Sequence, residues 1–195
     1  MQKRGEDTRT HILEAAQNLF SQMGYDACGV ADICQAAGVS KGAFYHHFPS
    51  KHAVFNELLE GWLEKLDEQL LALRAQSADI PSALLLMSGL MNELFQRTTS
   101  NLQIFLEVWR QACHDNEIRQ EISAPYFRYQ AFFQSMIDDG ISEGSLTAVD
   151  VQLVSRIIVA LGIGILIQGI LDLDGADWQQ VTRGGIELLI RGLAS

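Results

Sequence analysis

AAGVSKGAFYHHFPSKHAVF, residues 36–55, sets two glycines, two serines, adjacent histidines and a proline among apolar residues. A preceding segment, VADICQAA from Val30 to Ala37, has the apolar spacing of a short helix, with Gly29 as its N-cap and Asp32 near its positive end. Gly38 suits the left-handed backbone of a sharp turn. Val39 then plugs the angle, Ser40 caps the next helix, Pro49 ends it and Ser50 caps a fourth. Helix, tight turn, helix is the order of a helix-turn-helix unit. At about 100° per residue, Phe44 and Phe48 share one side of the second helix, flanked by Lys41 and His47. Gly42 and His46 lie opposite, with Ala43 and Tyr45 at the edges. The outward face is therefore bare in its first turn and hydrogen-bonding in its second, which suits close approach to a nucleic-acid strand.

Outward from this unit the chain reads as all-α. It has 195 residues, 48% of them hydrophobic, and 3 prolines, and strand-like runs are scarce. Upstream, Ile12, Ala15, Ala16, Leu19, Phe20 and Met23 recur at helical spacing from Thr8, and Gly24 supplies a stop. Downstream, a long helix runs from about residue 53 to 75. Further helices are predicted at 80–97, 101–113, 115–139, 147–172 and 176–193, and Pro125 is expected to kink or divide its helix. The boundary falls at Ser50: residues 1–50 form a three-helix head, and 51–195 a body entered through a linking helix over 51–75.

Charge follows the same division. The chain carries a net −10, yet residues 1–52 balance five basic side chains (Lys3, Arg4, Arg9, Lys41, Lys51) against five acidic ones (Glu6, Asp7, Glu14, Asp26, Asp32). A neutral head on an acidic body directs polyanion contacts to the head. The three cysteines, Cys28, Cys34 and Cys113, form no CxxC pair, so free thiols in a reducing cytoplasm are expected and a disulfide framework or zinc site is not. His46, His47 and His52 lack the spacing of a metal set, and no nucleophile–histidine arrangement points to an enzyme. No cofactor is expected. The N-terminus lacks an apolar signal core. IIVALGIGILI, residues 157–167, is too short to span a bilayer and reads as a buried helix.

Residues 9–62, RTHILEAAQNLFSQMGYDACGVADICQAAGVSKGAFYHHFPSKHAVFNELLEGW, closely resemble the DNA-binding domain of TetR-family transcriptional regulators. The match runs through Ile12, Ala15, Ala16, Leu19, Phe20, Gly24, Tyr25, Ile33, Ala37, Gly38, Val39, Ser40, Gly42, Tyr45, Phe48, Ser50 and Lys51. The resemblance implies an all-α homodimer with a ligand-binding body, whose last two long helices pair with those of a second copy. It places DNA contacts at Val30, Ser40, Lys41, Gly42, Tyr45, His46 and Lys51. Cys28 and Gly29 stand where the family often has hydroxyl residues.

In the body, Met87, Met91, Phe105, Trp109, His114, Phe127 and Gln168 are candidates to line an apolar effector pocket, though most such residues are ordinary core. Arg110 and Arg128 suit an anionic ligand or, more plainly, surface ion pairs. RIIVALGIGILIQGI, residues 156–170, is apolar nearly all round, which predicts a dimer contact through Ile157, Leu161, Gly164 and Ile165, joined by Ile186, Leu189 and Ile190. A central core helix is the alternative. The expected function is a repressor that a small molecule releases from a near-palindromic operator in double-stranded DNA, with Lys51, Tyr45 and an N-terminal arm (Lys3, Arg4, Arg9) on phosphates. The rival is a helical small-molecule carrier or scaffold that binds no operator. No membrane partner is expected.

Overall fold

The computed structural model describes residues 2–96, 106, 107, 109, 110, 116–172 and 175–193. Eight helices carry these residues: α1 (Gln2–Met23), α2 (Val30–Ala37), α3 (Lys41–His47), α4 (Lys51–Gln76), α5 (Ile80–Gln96), α6 (Asn116–Glu143), α7 (Val151–Leu171) and α8 (Trp178–Leu193). No strand occurs among the described residues. The all-α expectation holds, with two boundary corrections. Helix α1 begins at Gln2, not near Thr8, so the basic N-terminal segment is helical backbone and not an arm. Helix α6 runs unbroken through Pro125 and ends at Gly144, whose φ of 80° takes the chain out of the helix.

Packing separates two compact units. The first comprises residues 1–65 and 98–114, the second residues 66–97 and 115–195, so α4 supplies its first half to one and its second to the other.

In the first unit, α1, α2 and α3 close around Ile12, Ala16, Phe20, Cys28, Ile33, Phe44 and Phe48, joined by Val54 and Phe55 of α4, all buried. The rings of Phe20, Tyr25 and Phe55 meet at centroid distances of 5.1–6.2 Å, inclined to one another as aromatic pairs prefer. Arg9 of α1 pairs with Glu57 of α4 and lies over the Phe48 ring at 5.3 Å, which ties the end of α3 to both helices.

In the second unit, α5 packs on α8 and α6 on α7, with α7 also against α8. Their shared core includes Ile80, Leu84, Met87, Met136, Ile137, Leu146, Val154, Ile158 and Ile186. A polar corner fastens it. The Glu143 carboxylate accepts from the Ile80 N–H at 2.9 Å and from the Ser145 hydroxyl at 2.7 Å, and the Thr147 N–H donates to the Leu193 carbonyl at 2.8 Å.

Helix α7 corrects two expectations. With 21 residues it is long and apolar enough to cross a bilayer by length and composition, a test that core helices of globular proteins also pass. It is buried on one face only. Val154, Ile158, Ile165 and Leu166 lie inside, while Leu153, Ile157 and Ile167 are exposed and Leu171 is 81% exposed. Ile165 and Ile186 are core residues of a single copy. Leu161 packs on the bare backbone of Gly185, where an added Cβ would sit 3.4 Å from the leucine, and Leu189 and Ile190 pack against the same core. Within one copy, then, Ile165 and Ile186 are buried, Leu161, Gly164, Leu189 and Ile190 are half-buried, and Ile157 is exposed. The sequence showed an apolar helix on every side; which side the neighbours covered depended on how α6 and α8 met it.

Candidate nucleic-acid interface

Local chemistry builds the α2–turn–α3 unit. Gly29 is the N-cap of α2: its carbonyl accepts from the Asp32 and Ile33 N–H groups, and its own N–H donates to the Asp32 carboxylate at 2.8 Å. This is half of a capping box, with the missing hydroxyl of the cap supplied by nothing. At the other end Gly38 takes φ 67°, ψ 30°, and the Val39 N–H closes on the Cys34 carbonyl at 3.0 Å. Ser40 then caps α3 by accepting from the Ala43 N–H at 3.1 Å, and Ser50 caps α4 by accepting from Ala53 at the same distance. The turn is thus specified by one left-handed glycine and one serine cap.

These caps fix the rotation of α3. Phe44 and Phe48 are buried and His47 half-buried, whereas Lys41, Gly42, His46 and Tyr45 are exposed, Tyr45 to 55%. The Tyr45 ring leans edge-on against Phe44 at 5.3 Å, so the phenol is held in place while facing outward. A Cβ built on Gly42 meets only the Ser40 hydroxyl at 3.8 Å. The protein's own packing therefore leaves room for a side chain at Gly42, and its bareness serves something outside the fold. Ser40 is exposed but spends its hydroxyl on the cap. Val30 is half-buried at the first position of α2.

Lys51 has partners within the protein. Its ammonium donates to the carbonyls of Tyr25 at 2.7 Å and Cys28 at 2.9 Å and stands 4.0 Å over the Tyr25 ring. It thereby ties the start of α4 to the α1–α2 connector. Arg9, expected on a phosphate, is engaged by Glu57 and Phe48. Both bonds join residues far apart in the chain, so local spacing carried no signal of them. Burial pushes the phenol of Tyr25 up from its ordinary pKa, reinforced by Glu107 and Asp26, and burial likewise raises the Cys28 thiol. Cys28 and Cys34 are free and buried. Among the described residues no cluster of His, Cys, Asp or Glu is arranged to hold a metal ion.

The side chains of four of the seven candidate effector residues are among those described. Met87 is core, Phe127 is 60% exposed, and Gln168 is exposed with its amide turned back on the Gly164 carbonyl. Trp109 is exposed in the first unit. Phe105, His114 and the side chain of Met91 lie outside the described residues. Arg110 and Arg128 take the plainer reading and form ion pairs, with Glu107 and Asp26 and with Asp67.

The sequence pattern of bacterial regulatory proteins of the tetR family matches residues 12–58, and that of the C-terminal domain of BetI-type transcriptional repressors matches residues 84–191, more than half the chain. The chain belongs to the TetR family. This TetR-family protein is a DNA-binding transcriptional regulator, and its relatives are regulators, not enzymes. It is 28% identical over 149 residues to the HTH-type transcriptional repressor KstR2 of Rhodococcus jostii (strain RHA1), covering 76% of this chain and 72% of that one. A Saccharomonospora viridis chain, described as a transcriptional regulator in complex with choline, superposes with a TM-score of 0.84 at 23% identity, covering 97% of this chain and 99% of that one. The regulator FadR of Bacillus subtilis in complex with stearoyl-CoA gives a TM-score of 0.78 at 23% identity over 94% of this chain and 98% of its own. These two superpositions establish the shared all-helical fold.

Proposed function

We propose that this TetR-family protein is a cytoplasmic homodimeric repressor that binds a near-palindromic operator through α3 and is released by a small molecule held in the body. Residues 1–50 are the DNA-reading part, and residues 51–195 serve effector binding and dimerisation through the linking helix over 51–75. The observation that carries the reading is the exposed face of α3: Lys41, Gly42, Tyr45 and His46 face outward while Phe44 and Phe48 anchor the helix from behind. Lys41, Tyr45 and His46 donate to phosphates or base edges, and Gly42 lets the backbone approach. The amide end of α2 at Val30 and the start of α3 at Ser40 lie beside this face in the chain. Lys51 acts one step removed, by holding the connector from which α2 begins.

The dimer face is supported by what α7 and α8 leave uncovered. On α7, Leu153, Ile157, Ala160, Gly164, Ile167 and Leu171 recur at alternating intervals of four and three, a seam made for another helix. On α8, Val181 and Leu188 are exposed, Leu188 to 70%, and a Cβ built on Gly184 or Gly164 meets nothing within 4 Å. Contiguous apolar surface of this kind marks an association site. A two-fold pair presents two α3 helices, which calls for two half-sites about one helical turn apart. The repressor named among its relatives, and the fold neighbours solved with choline and stearoyl-CoA, support effector control.

The test is operator binding by gel shift with DNA from upstream of the protein's own coding region, across a salt series. Tight binding that falls steeply with salt is expected. Tyr45→Ala is expected to lower affinity by about tenfold, the order of one lost charge-neighbouring hydrogen bond and ring contact, with the dimer intact in sedimentation. Failure of the wild type to shift any such fragment at low salt would favour a carrier or scaffold.

A further inference from the structure

We propose that His46 makes operator binding proton-dependent: its imidazole carries a positive charge to a phosphate at low pH, and that charge is lost as pH rises. This coupling rests on the function proposed above, because it needs α3 to meet DNA. His46 and His47 are neighbours in the last turn of α3, with ring centroids 5.1 Å apart and planes inclined at 77°. His46 is exposed and His47 half-buried. Among the described residues neither ring takes a hydrogen bond or an ion pair.

The use of such a charge follows from how the head commits its others. Arg9 is paired with Glu57 and lies over the Phe48 ring. Lys51 shares its ammonium between the carbonyls of Tyr25 and Cys28 and stands over the Tyr25 ring. On α3 itself the fixed positive charge is Lys41, at the first position, and the two histidines hold the other end. Affinity for a duplex follows the number of positive groups brought to its phosphates. On a chain of net charge −10, one added positive charge at the reading helix counts.

Among the described side chains, the other charged and titratable groups near α3 are engaged or turned away. On α1, Asp7, His11 and Glu14 are exposed, on the side of the helix opposite the buried Ile12 and Ala16. On α2, Asp32 accepts from the Gly29 N–H at 2.8 Å. On α4, Glu57 is taken by Arg9, and His52 stacks on Phe55 and meets Asn56 at 3.2 Å. Helix α3 carries no acidic residue, and its carbonyl end, where both histidines sit, favours positive charge.

Histidine is the side chain that changes charge between about pH 5 and 8. A phosphate beside the ring favours its charged form. Proton uptake and DNA binding then strengthen each other by one and the same factor. The sign follows: affinity is high where His46 is protonated and falls as pH rises. Two positive rings 5.1 Å apart repel, so the pair adds one charge, not two, and the exposed ring is the one that reaches the phosphate. One charge-assisted bond is worth about tenfold in affinity.

The test is a set of gel shifts of the full-length protein with DNA from upstream of its own coding region, at pH 8 and pH 6 and at several salt concentrations. Wild-type affinity is expected to rise several-fold, up to about tenfold, from pH 8 to pH 6. The salt slope should steepen over the same interval by up to about one unit. His46→Gln keeps a hydrogen-bonding side chain without the charge, and His46→Lys holds the charge at both pH values. Each should bind equally at pH 8 and pH 6, the lysine variant more tightly than the glutamine one. His11→Gln, exposed on α1, should keep the wild-type response. Circular dichroism at both pH values checks folding, and if one His46 variant does not fold the other decides. Equal wild-type affinity at the two pH values, or a His46 variant that keeps the wild-type response, overturns the coupling and leaves the regulator standing. A wild type that shifts no fragment at either pH, even at low salt, removes the regulator and the coupling with it.

Discussion

The ammonium of Lys51 stands 4.0 Å over the ring of Tyr25 and donates to that residue's carbonyl at 2.7 Å. One side chain at the start of α4 thereby fixes the loop between α1 and α2. Lys51→Met keeps the length of the stem and deletes the donors to Tyr25 and Cys28. It is expected to destabilise the protein by about 1–3 kcal/mol, the worth of charged hydrogen bonds to partly buried carbonyls. It should also weaken operator binding equally at all salt concentrations. A direct phosphate contact would instead lower the salt slope by about one unit. Urea unfolding and a salt series of gel shifts distinguish them.

Gly42 tests whether α3 is shaped for a partner. Its Cβ site is open apart from Ser40 at 3.8 Å. Gly42→Ala should leave the free protein as stable or raise its stability by up to about 1 kcal/mol, from helix propensity. Operator affinity should nevertheless fall. A variant that is more stable and binds DNA as tightly would remove Gly42 from the interface.

The buried and exposed faces of α7 and α8 should answer differently to mutation. Ile165→Ala and Ile186→Ala remove core side chains that are buried in one copy, and are expected to cost about 2–5 kcal/mol. Ile157→Lys and Leu188→Lys alter exposed positions. These should keep helix content by circular dichroism, give monomers in sedimentation and lose operator binding. Dimers that survive both lysines would move the interface elsewhere.

Acid should loosen the second unit at its corner. The Ser145 hydroxyl and then the Ile80 N–H hold the Glu143 carboxyl below its ordinary pKa, and Ser82 does the same for Asp79. A carboxyl whose pKa is depressed by folding contributes stability above its unfolded pKa and loses it as pH falls through the folded one. Stability is therefore expected to decline as pH drops below the ordinary carboxylate range, and Glu143→Gln should flatten that decline. Urea midpoints from pH 6 to 3 for both proteins check the sign.

The α2–turn–α3 unit was legible because every signal in it is local. Gly38 adopts the left-handed turn, Ser40 and Ser50 cap, and Phe44 and Phe48 lie inside, as their order along the chain predicts. Such interactions span three or four residues, so spacing alone encodes them. The exposed set Lys41, Gly42, Tyr45 and His46 follows from the same periodicity. Helix α6 shows the limit even locally: Pro125 was expected to interrupt it, and the helix continues.

By itself, then, the sequence determined the all-α class, the capped turn and the face that α3 presents. Only the tertiary structure decided the partners of Lys51, Arg9 and Arg110, which sit 26, 48 and 84 residues away at Tyr25, Glu57 and Asp26. It also decided which half of α7 is core. A long flexible cation finds its acceptor wherever folding brings one, and an all-apolar helix carries no mark of the side its neighbours will cover. Both outcomes depend on the approach of distant helices, which no spacing along the chain records.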